Sequence, residues 1–163
     1  MPDNKVDISS PDIDLKSLLT FRLARLQNSL NTHAGHLLKT HSDLSLAEWR
    51  IISMIHNLQH TTMTKLRQET VMDKGQLSRN LKRLVDKSYV RATASEADAR
   101  QQNLCLSQHG QNIYQDLLPQ MRQRQHDLVK NVAPEDMAVF NRVLTQLSAN
   151  VNTMKAVDLP AEE

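Results

Sequence analysis

The sequence predicts a mainly α-helical chain with one small β-hairpin, built as a compact central lobe flanked by long amphipathic helices. Three observations carry this prediction. Only 3 of the 163 residues are glycine, too few for the turns of an all-β fold. Leucine-rich positions recur at spacings of three and four near both ends of the chain, as amphipathic helices require. Between them lie two short β-prone runs, "YVRAT" and "NLCLS", separated by the polar segment "ASEADARQQ". That is the pattern of a hairpin with an extended loop.

Taken in order, residues 1–10 read as a flexible N-terminus. Ser10-Pro11 supplies an N-cap and a first-turn proline. The apolar positions Leu15, Leu19, Leu23, Leu26, Leu30, Leu37 and Leu38 then predict one helix of about 28 residues within 11–44. It is too long for its own small domain, so its outer turns need a further partner. "DLSLAEWRIISMIHNL" opens the lobe assigned to 45–106, with Ser45 and Glu48 spaced as a capping box before Leu46, Trp49, Ile52 and Ile55. A short helix follows over about 62–70. Asp73 and Gln76 then form a second capping-box pattern, with Met72 and Leu77 placed as a hydrophobic staple. After the hairpin, residues 107–155 hold two helices. The first contains Pro119 and is expected to kink, and the second begins at Pro134. In the last helix Met137, Phe140, Leu144, Leu147 and Val151 follow the spacing of a coiled-coil seam. The tail, 156–163, reads as flexible. Leu15, Leu19 and Leu23, with Phe140, Leu144, Leu147 and Val151, are therefore the candidate dimerisation residues, since a second copy is the simplest way to bury both stripes.

Composition restricts the function. The N-terminus lacks a signal-peptide core, no apolar run is long enough for a membrane helix, and the one cysteine, Cys105, excludes an internal disulfide. A cytoplasmic setting is expected. No nucleotide loop, Ser-His-acid set or paired carboxylates suggest an enzyme, and no cofactor or metal is expected. The net charge is +2, yet residues 74–91 carry six lysines and arginines against one acid, Asp86. Such a segment, net +5 in an otherwise acidic chain, is an electrostatic footprint for nucleic acid.

Phase sharpens that footprint. At 100° per residue Leu77, Leu81, Leu84 and Val85 share one face of the helix after Asp73. Gln76, Arg79, Arg83 and Lys87 gather opposite, with Ser78 and Lys82 on a flank. Arginine can fork onto guanine and glutamine onto adenine, while lysines such as Lys74 and Lys82 hold phosphates. Gly75 removes bulk where backbone could approach a phosphate. A short helix, a tight connection, this helix and then a hairpin make a winged helix-turn-helix. Arg100 in the hairpin loop is placed to enter a minor groove.

On these residues the chain resembles the MarR (multiple antibiotic resistance regulator) transcription factors over roughly residues 12–152. "LSLAEWRII" is similar to the opening of the family's second helix, "QLSRNLKRLVDKSYVRA" to its recognition helix and wing, "DAR" to its wing D-x-R, and "LSQHG" to the L-T-x-x-G that follows. The resemblance implies a homodimer joined by the first and last two helices, bound to a pseudo-palindromic operator and usually repressing. It also implies that Asp98 orients the wing for Arg100. Ser88 departs from the family's small residue or glycine before the wing strand, "SEADAR" has fewer basic residues, and Ala133 replaces a capping serine. Release of DNA by a small aromatic acid is a further implication, with His36, Trp49, Arg50 and Tyr114 as candidate ligand residues. The alternatives are redox sensing through Cys105, metal sensing through histidines such as His33, His36 and His41, or a winged-helix module that binds protein.

Overall fold

A computed structural model describes residues 14–70, 72–94 and 102–154. The elements are α1 (Leu19–His41), α2 (Leu46–Leu58), β1 (Thr61–Thr62), α3 (Met63–Glu69), α4 (Lys74–Asp86), β2 (Val90–Ala94), β3 (Gln102–Leu106), α5 (Gln108–Val129) and α6 (Pro134–Thr153). The chain divides into two compact units, one up to Arg122 and one from Gln123. The described residues of the expected winged helix-turn-helix lobe lie within the first.

The first helix begins later than its leucine spacing predicts. Asp14 accounts for the difference: its carbonyl accepts from the Ser17 amide and hydroxyl, and its carboxylate from the Lys16 amide. These local bonds hold residues 14–18 in turns instead of helix. Ser10 and Pro11 lie outside the described residues. Within α1 only Ala34 and Leu38 are buried.

α2 starts where the capping box puts it. The Ser45 hydroxyl accepts from the Glu48 amide at 3.2 Å, and the Ser45 amide donates to Glu48 Oε2 at 2.8 Å. Its buried residues Trp49, Ile51, Ile52 and Ile55 meet Leu66 of α3, Leu77 and Leu84 of α4, and Leu104 of β3 in one core. Full burial of each such aliphatic side chain contributes roughly 1.5–3 kcal/mol.

The hairpin forms as predicted, with Arg91 opposite Cys105 and Thr93 opposite Asn103. A third strand, β1, pairs antiparallel to β3 and gives the sheet order β1-β3-β2. At two residues β1 is too short to show any alternation in sequence.

The root of the hairpin is closely specified. α4 ends in a Schellman motif: the Ser88 amide donates to the Val85 carbonyl and the Tyr89 amide to the Leu84 carbonyl. The motif needs a left-handed residue, and Ser88 supplies it at φ 61°. This is the position at which the resemblance expects a small residue or glycine. The Ser107 amide then donates to the Tyr89 carbonyl, and the Ser107 hydroxyl donates to the Ser88 carbonyl at 2.6 Å. Gly110 explains the last residue of "LSQHG", because a Cβ there would overlap the Tyr89 carbonyl oxygen.

α6 opens with Pro134 in its first turn and Ala133 at its N-cap without a side-chain bond. None of its residues is buried. Phe140 and Val151 are exposed, Met137, Leu144 and Leu147 are half-buried, and Val139 and Val143, outside the predicted seam, are exposed as well. Leu15, before α1, and Leu19, its first residue, are exposed, and Leu23 is half-buried.

Candidate nucleic-acid interface

α4 presents two chemically opposite faces. Leu77, Leu81 and Leu84 are buried together with Asn80, whose side-chain amide donates to the Gln76 carbonyl at 2.9 Å. Asn80 therefore belongs to the inward row. Val85 is corrected outward: it is 38% exposed, since the tight C-terminal turn leaves it outside the leucine row. Lys74, Gly75, Gln76, Ser78, Arg79, Lys82 and Arg83 are all exposed.

The start of α4 has only half of the expected capping box. Asp73 Oδ1 accepts from the Gln76 amide at 2.8 Å, while among the described residues no bond returns from Gln76 to the Asp73 amide. Gly75 serves a different neighbour from the one expected. Its missing side chain leaves room for the Arg79 guanidinium, which would lie 3.2 Å from a Cβ there. Lys82 pairs with Asp86 at 2.8 Å, both groups being well exposed. Such a pair is worth at most about 1 kcal/mol, so Lys82 can exchange it for a phosphate.

The basic run 74–91 does not act as one patch. Lys87 turns toward the start of α2, where its ammonium lies 3.1 Å from Asp43 and 3.8 Å from the buried carboxylate of Glu48. It therefore leaves the reading row that helical phase assigned to it, because these partners, some forty residues upstream, outcompete solvent. The Tyr89 hydroxyl donates to Asp43 at 2.9 Å. Burial raises the Asp43 carboxyl, but hydrogen bonds from Lys87 and Tyr89 outweigh it and hold the group below its ordinary value. Burial and the bond to Asp43 push the Tyr89 phenol up to about 12. Arg91 lies on β2, away from the α4 face, beside the C-terminal end of α2. Four of the six cations thus remain on the exposed helix. Asp98 and Arg100 lie outside the described residues.

The candidate ligand residues separate. Trp49 and Tyr114 are buried and stacked at 5.4 Å, and His56 stacks on the other partner, Tyr114, at 3.9 Å. Arg50 is exposed and donates to Asn31 at 2.9 Å, and His36 is exposed on α1. Trp49 and Arg50 line a cavity of about 270 Å³ between α2 and the α3–α4 connection. His36 and Tyr114 do not line it. Ser53 and Thr70 do, and among the described residues their buried hydroxyls have no hydrogen-bond partner. Sequence reasoning missed both. Ser53 follows Trp49 by one helical turn and could have been found that way; Thr70 could not, because only the fold brings the α3–α4 connection to α2.

Among the described residues no three histidine, cysteine or acidic side chains group as a metal site, and no helix is long and apolar enough to cross a membrane. The MarR family model matches residues 42–101. No curated protein sequence gives a significant match. A MarR/EmrR family transcriptional regulator from Acinetobacter sp. ADP1 is similar in structure, with a TM-score of 0.80 at 22% identity, over 87% of this chain and 100% of that one. FabT from Streptococcus pneumoniae, solved in complex with DNA, gives 0.71 at 22% identity over 84% and 97%. A mutant MarR from E. coli, complexed with operator DNA, gives 0.69 at 23% identity over 83% and 99%. The fold is that of the MarR-family transcriptional regulators.

Proposed function

We propose that the chain is a sequence-specific, double-stranded DNA-binding transcriptional regulator that acts as a homodimer. The observation that carries this reading is the exposed row of α4. Lys74, Gln76, Ser78, Arg79, Lys82 and Arg83 face solvent while a leucine row anchors the same helix. Gln76, Arg79 and Arg83 are suited to base edges, and Lys74 and Lys82 to phosphates. Similarity to proteins solved with DNA supports the same reading. Asp98 and Arg100 are assigned to the wing, with Arg100 reaching an adjacent minor groove.

Homodimerisation buries the apolar side chains that the single chain leaves exposed, Leu15 and Leu19 before and in α1 and Phe140 and Val151 in α6. Leu23, Leu144 and Leu147 extend these rows. Leu144→Asp is expected to shift the mass in solution toward monomer. An unchanged dimer would remove α6 from the interface.

The regulator is a repressor released by a small aromatic or phenolic acid. The cavity beside Trp49 supports this part: Met54 and Met72 offer apolar wall, Ser53 and Thr70 offer unpaired hydroxyls, and Arg50 offers a cation for a carboxylate. Met72 directly precedes the cap of α4, so an occupant bears on the reading helix.

The test is a footprint on the DNA flanking the chain's own gene. Protection of two half-sites centred about 10 bp apart is expected. Equal affinity for that DNA and for random duplex, lost alike with salt, would overturn sequence-specific regulation.

A further inference from the structure

A second cavity, of about 170 Å³, lies behind the hairpin and away from both α4 and the Trp49 cavity. Its polar lining is His56, Gln59, His60, Arg91, Cys105 and Gln111. Two imidazoles, a guanidinium and two carboxamides converge there, and among the described residues no acidic side chain lines it. Among the described residues no carboxylate pairs with Arg91. An arginine on a paired strand, left without an acid in a concave site, is the arrangement that takes up an oxyanion through its planar fork.

Three parts of the site are held by structure. Arg91 sits opposite Cys105 in the antiparallel ladder, so its backbone is fixed. The His56 ring is stacked on Tyr114 at 3.9 Å and 21°. Gln59 occupies a strained γ-turn, φ 63° and ψ −60°, closed by a bond from the His60 amide to the Leu58 carbonyl at 2.7 Å. A non-glycine residue kept in that conformation, at the rim of a polar cleft, is strain stored at a site.

We propose that this cleft binds one small oxyanion, a carboxylate or phosphate group, between the Arg91 guanidinium and the imidazoles of His56 and His60. The volume admits such a group and is too small for a drug-sized ligand. The bound anion ties the C-terminal end of α2 to β2 and β3 at the base of the wing.

The experiment follows the imidazole NMR signals of His56 and His60 in the full chain. The titrants are inorganic phosphate and, separately, acetate, against chloride at matched ionic strength. Saturable shifts of both histidines with one midpoint are expected. Saturation by phosphate alone identifies a phosphate site, and saturation by acetate alone a carboxylate site. Arg91→Ala should raise the midpoint about tenfold or more, with Arg91→Lys restoring part of it. Gln111→Glu, which sets a negative charge in the lining, should abolish the response. Shifts that never saturate, or that are the same in Arg91→Ala and Gln111→Glu as in the unaltered chain, would overturn the site.

Discussion

The wing root and the exposed face of α4 are adjacent in sequence and opposite in construction. At the root, Ser88, Tyr89, Ser107 and Gly110 share backbone and side-chain bonds, and Lys87 is tied to Asp43 and Glu48. On α4, Arg79 rests over Gly75 of its own helix, and Lys82 holds only an exposed partner one turn away. Contacts to distant residues make the root a source of stability. Their scarcity on α4 leaves its side chains available to a ligand. Substitutions in the two regions should therefore separate cleanly between unfolding and binding.

The largest effect is expected at Gly110. Gly110→Ala forces a methyl into the Tyr89 carbonyl, and should cost roughly 3 kcal/mol, the upper end of overpacking. Urea unfolding would read it as a lower midpoint. A loss below about 0.5 kcal/mol would mean that the root yields easily, and the contrast with α4 would fail.

Lys87→Met comes next, because it leaves the buried Glu48 carboxylate facing no cation. A cost of about 1–3 kcal/mol is expected. The lowered Asp43 carboxyl supplies a check through pH. A depressed carboxylate contributes stability above its ordinary value, and that contribution is lost as the pH falls. The gap between Lys87→Met and the unaltered chain should narrow below pH 3.8. A gap that widens in acid would break the assignment.

On the other side of the comparison, Arg79→Ala should lose about 1–3 kcal/mol of discrimination between operator and mismatched DNA. Lys82→Ala should weaken all sequences alike and lower the salt slope by about one. Neither should change the unfolding free energy by more than about 0.5 kcal/mol. If both weakened discrimination equally, the division into base-reading and phosphate-holding residues would be wrong.

The smallest effect sharpens the comparison. Ser88→Gly relieves a left-handed serine and should stabilise the chain by roughly 1 kcal/mol. Destabilisation would show that the serine side chain is needed at the root.

What could be read in advance was local. The Ser45–Glu48 box, the leucine row of α4 and the hairpin strands each rest on residues within one or two turns of each other. Lys87 was misplaced because its partners Asp43 and Glu48 are distant in sequence and solvent is the default for a lysine in a basic run. The burial of Asn80 is not legible from spacing alone, because it depends on the bond from its amide to the Gln76 carbonyl. Asp14 delays the start of α1 through local bonds that leucine periodicity does not register. The cavity at Ser53 and Thr70 is tertiary in origin, so composition and spacing held half of it at most.

One consequence of the ring stack is optical. Trp49 is the chain's sole tryptophan, 8% exposed, packed on Tyr114 and forming part of the cavity wall. The molecule thus carries a single long-wavelength emitter, shielded from solvent and next to the space proposed for its effector. A compound entering that space quenches or shifts one well-defined signal, with no label attached and no DNA present.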